Sequence, residues 1–383
     1  MLEKKFILII IDALGYRIAE KYNFRPEGFP VRNRLRTVPG FSQSALTSIL
    51  TGCNPDEHGL WMMYSFNRDS SPLRWLSLLP KGISSKRRWL RRLIDWKLRR
   101  IDGIRSYYSL YSVPKKVLPF VDIPAAKNTF LPGGGGECRT ILDELSGREA
   151  EIFIRDYHTP EKESFSHLKN AVAGGSYNFH LLYTAGLDSA LHSFGTSHPE
   201  IENRLRWYEG QLRDIAAADK EAELIVLGDH GMCDVRNSID IITGVEELDL
   251  DIPYDYIPFY DATMARFRVF NKAAEEKITG FLSEIDGGSI LDYNGKKELN
   301  IYFEDNHFGD IIYLLREGTI INPSYMGEDM IEGMHGYHPD CECMYSSMCS
   351  NVEGAESAES IVDIAGLIIP GFGSVRKGGY GTG

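Results

Sequence analysis

The chain opens with an uninterrupted apolar run, Phe6 to Ile11, that stops at Asp12. A continuous, β-branched run of this length is the pattern of a central strand in a parallel sheet, buried on both faces. It returns in NFHLLYTAG, just before Asp188, and in ELIVLG, just before Asp229 and His230. Between these runs the period becomes helical. SALTSILTG reads as a helix stopped by Gly52, HLKNAV is helical, and NRLRWYEGQLRDIAAADK puts Leu205, Tyr208, Leu212 and Ile215 on one face. Further on, TMARFRVF predicts a strand, AAEEKITGFLSEI a helix, and GDIIYLLREGTII a strand with a hairpin-like return. Strands alternating with helices predict an α/β fold, with a mostly parallel central sheet covered by helices on both faces.

One segment breaks this rhythm. Residues 1–61 and 151–383 carry the α/β pattern, whereas 62–150 form an inserted basic and aromatic cap with a glycine turn at Gly133 to Gly136. Residues 81–105 hold ten Lys or Arg against two acids. Trp89, Leu90, Leu93, Ile94, Leu98 and Ile101 recur there at spacings of three and four, which predicts a cationic amphipathic helix over 86–105. Three readings compete. The helix packs its apolar face on the core, or it lines a cleft and attracts anionic or nucleotide groups. Alternatively it lies on an anionic membrane surface and admits lipid-linked substrates.

Composition narrows the class. A net charge of -12 argues against general nucleic-acid binding. Six cysteines without a CxxC pair, in 383 residues, suggest neither a disulfide framework nor a zinc knuckle. Cys341 and Cys343 read as two reduced thiols in a loop. The first apolar run is too short for a secretory signal, and no stretch has the length of a membrane span. The expected location is the cytoplasm, with peripheral membrane association left open by the basic helix.

The chemistry lies where the apolar runs end. Ligands in open α/β sheets gather outside the carboxyl ends of the strands, and Asp12, Asp188 and Asp229-His230 occupy such ends. Asp188 and His192 are four apart, so one helical turn lets them share a metal. Asp229 and His230 sit between Gly228 and Gly231, where the backbone can aim both inward. In GMHGYH, glycine flanks His335 directly and makes it the better ligand, with His338 its rival. PGFSQSALTSILTG offers a hydroxyl at Ser42. Three Asp, three His and one hydroxyl are what two divalent metals need around an oxygen nucleophile. The N/O donor set favours Zn²⁺ over Mg²⁺ and is compatible with Mn²⁺.

Together these residues resemble the alkaline phosphatase superfamily, and most closely its type I phosphodiesterase / nucleotide pyrophosphatase branch. The resemblance rests on the Asp closing the first strand, a hydroxyl ten positions before Gly52 of the Thr-Gly leading into NPDEHG, and the D-x-x-x-H, DHG and HGY motifs. It leaves 62–150 outside. It implies an alkaline-phosphatase-like fold with two zinc ions, one held by Asp188, His192 and His335, the other by Asp12, Asp229, His230 and the nucleophile Ser42. It also implies in-line attack by Ser42 on a phosphorylated small molecule or nucleotide-like substrate, through a phosphoseryl intermediate that water hydrolyses.

The chain departs from the branch at the nucleophile, with Ser42-Gln43-Ser44-Ala45 where Thr-Phe-Pro-Asn is usual, and Ser44 is a rival nucleophile. The x-Pro-x-Arg continuation of a sulfatase nucleophile is missing. A phosphomonoesterase, a phosphonate hydrolase or a phosphoryl or substituted-phosphoryl transferase would use the same site, and a metal-binding module without turnover is the non-enzyme alternative.

Overall fold

The computed structural model describes residues 4–79, 88–101, 112–124, 129–146, 152–155, 159–327 and 329–372. Its main sheet has six strands, in the order Val31–Leu35, Ser346–Ser350, Glu223–Leu227, Phe6–Ile11, Phe179–Thr184, Ile152–Arg155. Phe6–Ile11 lies at the centre, parallel to Phe179–Thr184 on one side and Glu223–Leu227 on the other. Ile152–Arg155 extends the parallel set outward. Ser346–Ser350 runs antiparallel between Glu223–Leu227 and Val31–Leu35.

Alternation within the first strand explains the helices on both faces, because successive side chains point to opposite sides of a sheet. Phe6, Leu8 and Ile10 pack with Ala45, Leu46 and Ile49 of helix Ser42–Thr51. Ile7, Ile9 and Ile11 pack with Leu205, Tyr208, Leu212 and Ile215 of helix Pro199–Ala218 and with Phe165 and Leu168 of helix Glu161–Gly174. The apolar face expected of the 199–218 helix is therefore its buried face. Gly52 ends the Ser42–Thr51 helix with φ of 65°, a conformation that glycine adopts at little steric cost.

The strands at 264–269 and 311–315 do not continue the parallel sheet. With Tyr256–Tyr260 and Gly288–Ile290 they form a separate four-stranded antiparallel sheet, with Ile278 and Leu282 of helix Lys272–Glu284 buried in the same core. An apolar run shows that a strand is buried but not which sheet it joins.

Helix Arg88–Arg100, in the segment expected as a cap, contributes to this second core. Leu90, Ile94 and Leu98 of helix Arg88–Arg100 are buried with Tyr256, Ile257, Phe259 and Tyr313. Residues 86, 87 and 102–105 of the expected basic helix lie outside the described residues. The expectation of one apolar face is corrected: three of its six members, Leu90, Ile94 and Leu98, are buried, whereas Trp89, Leu93 and Ile101 are exposed, as is Trp96.

The cysteines also depart from expectation. Disulfides join Cys53 to Cys138 and Cys233 to Cys343, leaving Cys341 and Cys349 as free thiols. The partners are 85 and 110 residues apart in sequence. Their proximity arises only when residues 129–146 fold back on the Ser42–Thr51 helix and the loop at Cys343 meets the turn at Cys233.

Candidate metal and nucleophile site

Strand register brings the acids to one edge. Ile11 pairs with Thr184 and Ile10 with Leu227, so the chain leaves all three central strands at the same level. The Asp12 N–H still bonds the Thr184 carbonyl at 2.9 Å, carrying the ladder one residue past the strand. Ala13 then turns the chain with φ of 60°, an uncommon conformation for a residue with a Cβ. Its N–H donates to Asp229 Oδ1 at 3.1 Å, and the His230 N–H donates to the same oxygen at 3.0 Å. Asp229 is thus held by one oxygen, while Oδ2 is buried and has no hydrogen bond.

Two of the three imidazoles, His230 and His192, are oriented by their other nitrogen. His230 Nδ1 lies 2.9 Å from the Gly231 carbonyl, which accepts its proton and leaves Nε2 as the acceptor. That Nε2 lies 3.0 Å from Ser42 Oγ, 3.3 Å from Asp12 Oδ1 and 3.5 Å from Asp229 Oδ2. His192 Nδ1 lies 2.8 Å from the Gly333 carbonyl, with Nε2 3.3 Å from Asp188 Oδ1. Histidine ligands of metals are usually fixed in this way by a backbone carbonyl or carboxylate. His335 Nε2 reaches within 3.7 Å of Asp188 Oδ1, and its ring stacks on His230 at 3.8 Å between centroids.

The glycines around these ligands have steric reasons. A Cβ on Gly231 would meet the Cys343 carbonyl at 2.0 Å, and one on Gly336 would meet Thr263 Oγ1 at 2.8 Å. The DHG turn and the His335 loop therefore lie closer to their neighbours than a side chain allows.

All seven residues expected from the sequence converge here. Asp188, His192 and His335 offer ligand atoms within 4.8 Å of one another, as do Asp12, Asp188 and His230. Asp188 belongs to both groups. Ser42 stands in the first turn of its helix, with Oγ 3.5 Å from Asp12 Oδ1. The rivals lie elsewhere. Ser44 is buried with an Oγ that has no hydrogen-bond partner, and the half-exposed His338 faces Asp340 at 3.7 Å.

Two contributors escaped the sequence reading. The Tyr183 hydroxyl donates to Asp12 Oδ2, and the Phe41 ring meets His335 edge-on at 5.4 Å. Tyr183 had a weak signal, as a polar-tipped residue near the end of the fully buried strand FHLLYT. Phe41 had none.

The electrostatics suit cations. Burial, then the charges of Asp229 and Asp188, push the Asp12 carboxyl well above its usual range. Burial, with Asp188 adding to it, pushes Asp229 up to about 7. Burial, followed by His230 and His192, drives His335 well down. Carboxylates crowded in a buried site are costly unless protonated or paired with cations. Orphaned atoms on Asp188, Asp229 and His335 and a hard-to-borderline N/O donor set fit a pair of divalent metals. Asp188, His192 and His335 would hold one, and Asp12, Asp229, His230 and Ser42 the other.

Comparison with known proteins gives the family and the fold. The profile of the family described as type I phosphodiesterase / nucleotide pyrophosphatase matches residues 7–338. Murine ectonucleotide pyrophosphatase / phosphodiesterase 5 superposes with a TM-score of 0.66 at 14% identity, covering 95% of this chain and 94% of that one. The human protein of the same name gives 0.67 at 13% identity, over 95% and 94%. An inactive form of the murine protein in complex with AMP gives 0.64 at 14% identity, over 96% and 94%. A shorter similarity, 31% identity over 80 residues, links the chain to the catalytic subunit of GPI ethanolamine phosphate transferase 3 of Mus musculus. That match spans 21% of this chain and 7% of the length of this curated relative.

Proposed function

The chain belongs to the type I phosphodiesterase / nucleotide pyrophosphatase family, and from that premise we propose that it is a metal-dependent phosphodiesterase with Ser42 as its nucleophile. The observation that carries this reading is the meeting of Ser42 Oγ with His230 and Asp12 at the mouth of the buried acid and imidazole cluster. Two divalent metals, with zinc the best match to the donors, would supply Lewis-acid stabilisation of the Ser42 alkoxide and of the charge on the phosphoryl oxygens.

The chain's own residues do the rest. The N-terminus of helix Ser42–Thr51 presents backbone N–H groups and the positive end of its dipole to a phosphoryl group beside Ser42. Ser42 Oγ gives up its proton and forms a bond to phosphorus as the bond to the leaving oxygen breaks, giving a phosphoseryl ester; the leaving group departs with the bonding pair and takes up a proton. A water oxygen then displaces Ser42 Oγ from phosphorus, and the serine recovers its proton. Tyr183 ties one Asp12 oxygen and leaves the other facing Ser42.

A nucleotide-like substrate is supported by the AMP complex of the similar murine structure. The second reading, transfer of a substituted phosphoryl group to an acceptor other than water, is favoured by the 80-residue similarity to the ethanolamine phosphate transferase. It would share the first half-reaction and differ only in what attacks the phosphoseryl ester. The cytoplasmic expectation gives way to a proposal of an oxidising compartment, which two disulfides support.

The test pairs metal analysis with hydrolysis of bis-p-nitrophenyl phosphate and p-nitrophenyl phosphate by wild type and Ser42→Ala. About two metals per chain, with diester cleavage lost in the variant, would support the proposal. A monoester preference would move it to a phosphatase. Bound metal with no turnover of either ester until an alcohol acceptor is added would favour the transferase.

A further inference from the structure

Helix Arg88–Arg100 carries two apolar stripes, and only one is covered. Leu90, Ile94 and Leu98, at i, i+4 and i+8, are buried in the second core. Trp89, Leu93 and Trp96, at i, i+4 and i+7, are 48, 40 and 56% exposed. At 100° per residue the exposed stripe is centred roughly 130° around the helix from the buried one. Two tryptophans and a leucine aligned on one exposed helix face are more than the scattered apolar residues of an ordinary surface.

Charge names the occupant. The helix has six Arg or Lys and one Asp in a chain of net charge -12. Arg92, Arg99 and Arg100 are exposed beside the stripe. A second copy of the chain is disfavoured, because a two-fold contact would set Arg against Arg. A nucleic acid would use the arginines but leave the stripe in water. An anionic bilayer uses both: Trp and Leu enter the boundary between headgroups and acyl chains, while arginines meet the lipid phosphates. Among the described residues no helix is long and apolar enough to cross a membrane, so this contact would lie on the surface.

We propose that the Trp89–Leu93–Trp96 face of the cap helix docks the protein on anionic membranes, anchored through Leu90, Ile94 and Leu98 to the body that carries the Ser42 site. This surface does not depend on the phosphodiesterase reading, and its test does not require turnover.

The experiment mixes the full chain with vesicles of phosphatidylcholine alone or of equal parts phosphatidylcholine and phosphatidylglycerol. Sedimentation should capture the protein on the anionic vesicles at least tenfold better, and rising salt should weaken the capture. Tryptophan emission should shift to the blue and be quenched by brominated acyl chains. The combined variant Trp89→Ser, Leu93→Ser, Trp96→Ser should lose at least tenfold of the binding while keeping its far-ultraviolet dichroism and its cooperative thermal unfolding. Leu93→Ser alone, a milder change, should lose a measurable part of it. No capture by either vesicle, or capture that the triple variant retains, would overturn the proposal. So would a wild-type dimer without lipid that the triple variant dissolves, which would give the face to a second copy.

Discussion

The hydroxyl of Tyr183 donates to one carboxylate oxygen of Asp12, and the other oxygen of Asp12 lies 3.5 Å from the hydroxyl of Ser42. Tyr183 thus sets which Asp12 oxygen faces Ser42. Groups that orient metal ligands from behind typically contribute 10–100-fold in affinity or activity. Tyr183→Phe, which keeps the ring beside Phe130, should therefore lower metal affinity and diester hydrolysis by roughly 10–100-fold. Metal titration followed by steady-state assays would check this, and unchanged values for both would remove Tyr183 from the site.

Asp188 is shared by both candidate ligand groups. Asp188 would ligate the metal held with His192 and His335, and its charge also acts on Asp12 and Asp229 of the other group. Asp188→Asn should therefore release the first metal and weaken the second, whereas His192→Ala should weaken the first alone. Elemental analysis of the purified variants distinguishes the cases: from about two metals per chain, Asp188→Asn should fall to about one or fewer.

The two serines of the nucleophile turn should separate cleanly. Ser42→Ala should lower turnover by at least about 10³-fold, as loss of a nucleophile does. Ser44 has a buried hydroxyl with no hydrogen-bond partner, so Ser44→Ala should leave turnover within a few-fold of wild type. It should also change stability by no more than about 1 kcal/mol, because no hydrogen bond is broken. A reversed outcome would exchange their roles.

Acid stability should report on His58. Its Nδ1 accepts from the Leu60 N–H at 3.0 Å and its Nε2 meets Ser48 Oγ at 3.1 Å, a pattern that suits the neutral ring. Burial holds it down to about 3, and burial likewise holds His180 down to about 4. An unfolded chain takes up a proton at each near pH 6.5, whereas the folded chain does not. The stability from keeping His58 neutral is therefore complete above pH 6.5 and is lost as pH falls toward 3, at up to about 1.4 kcal/mol per pH unit. Urea unfolding at pH 7, 6 and 5 should show this slope, and His58→Gln should flatten it.

The Cys53–Cys138 bridge closes a loop whose ends are 85 residues apart. Replacing both cysteines by serine should cost about 4 kcal/mol through the freedom restored to the unfolded chain. Thermal unfolding of the double variant, with and without reductant, measures this. A wild type indifferent to reductant would argue that the bridge contributes little.

Much of this protein is determined by sequence alone. Short, β-branched apolar runs favour strands buried on both faces, and a polar residue within a few positions after such a run lies near the sheet edge. Asp12, Asp188, Asp229 and His230 were legible for that reason, and His192 followed from helical spacing. Other features depend on pairs distant in sequence, which no local period encodes. Tyr183 reaches Asp12, 171 residues away in sequence, because the strands that carry them lie side by side in register. Four cysteines pair across 85 and 110 residues, and the strands at 256–315 form their own antiparallel sheet. In the cap helix the sequence placed apolar residues at helical spacing but did not say which would be covered. That was decided by the second core, whose surface accommodates one stripe, Leu90, Ile94 and Leu98, and leaves Trp89, Leu93 and Trp96 facing outward.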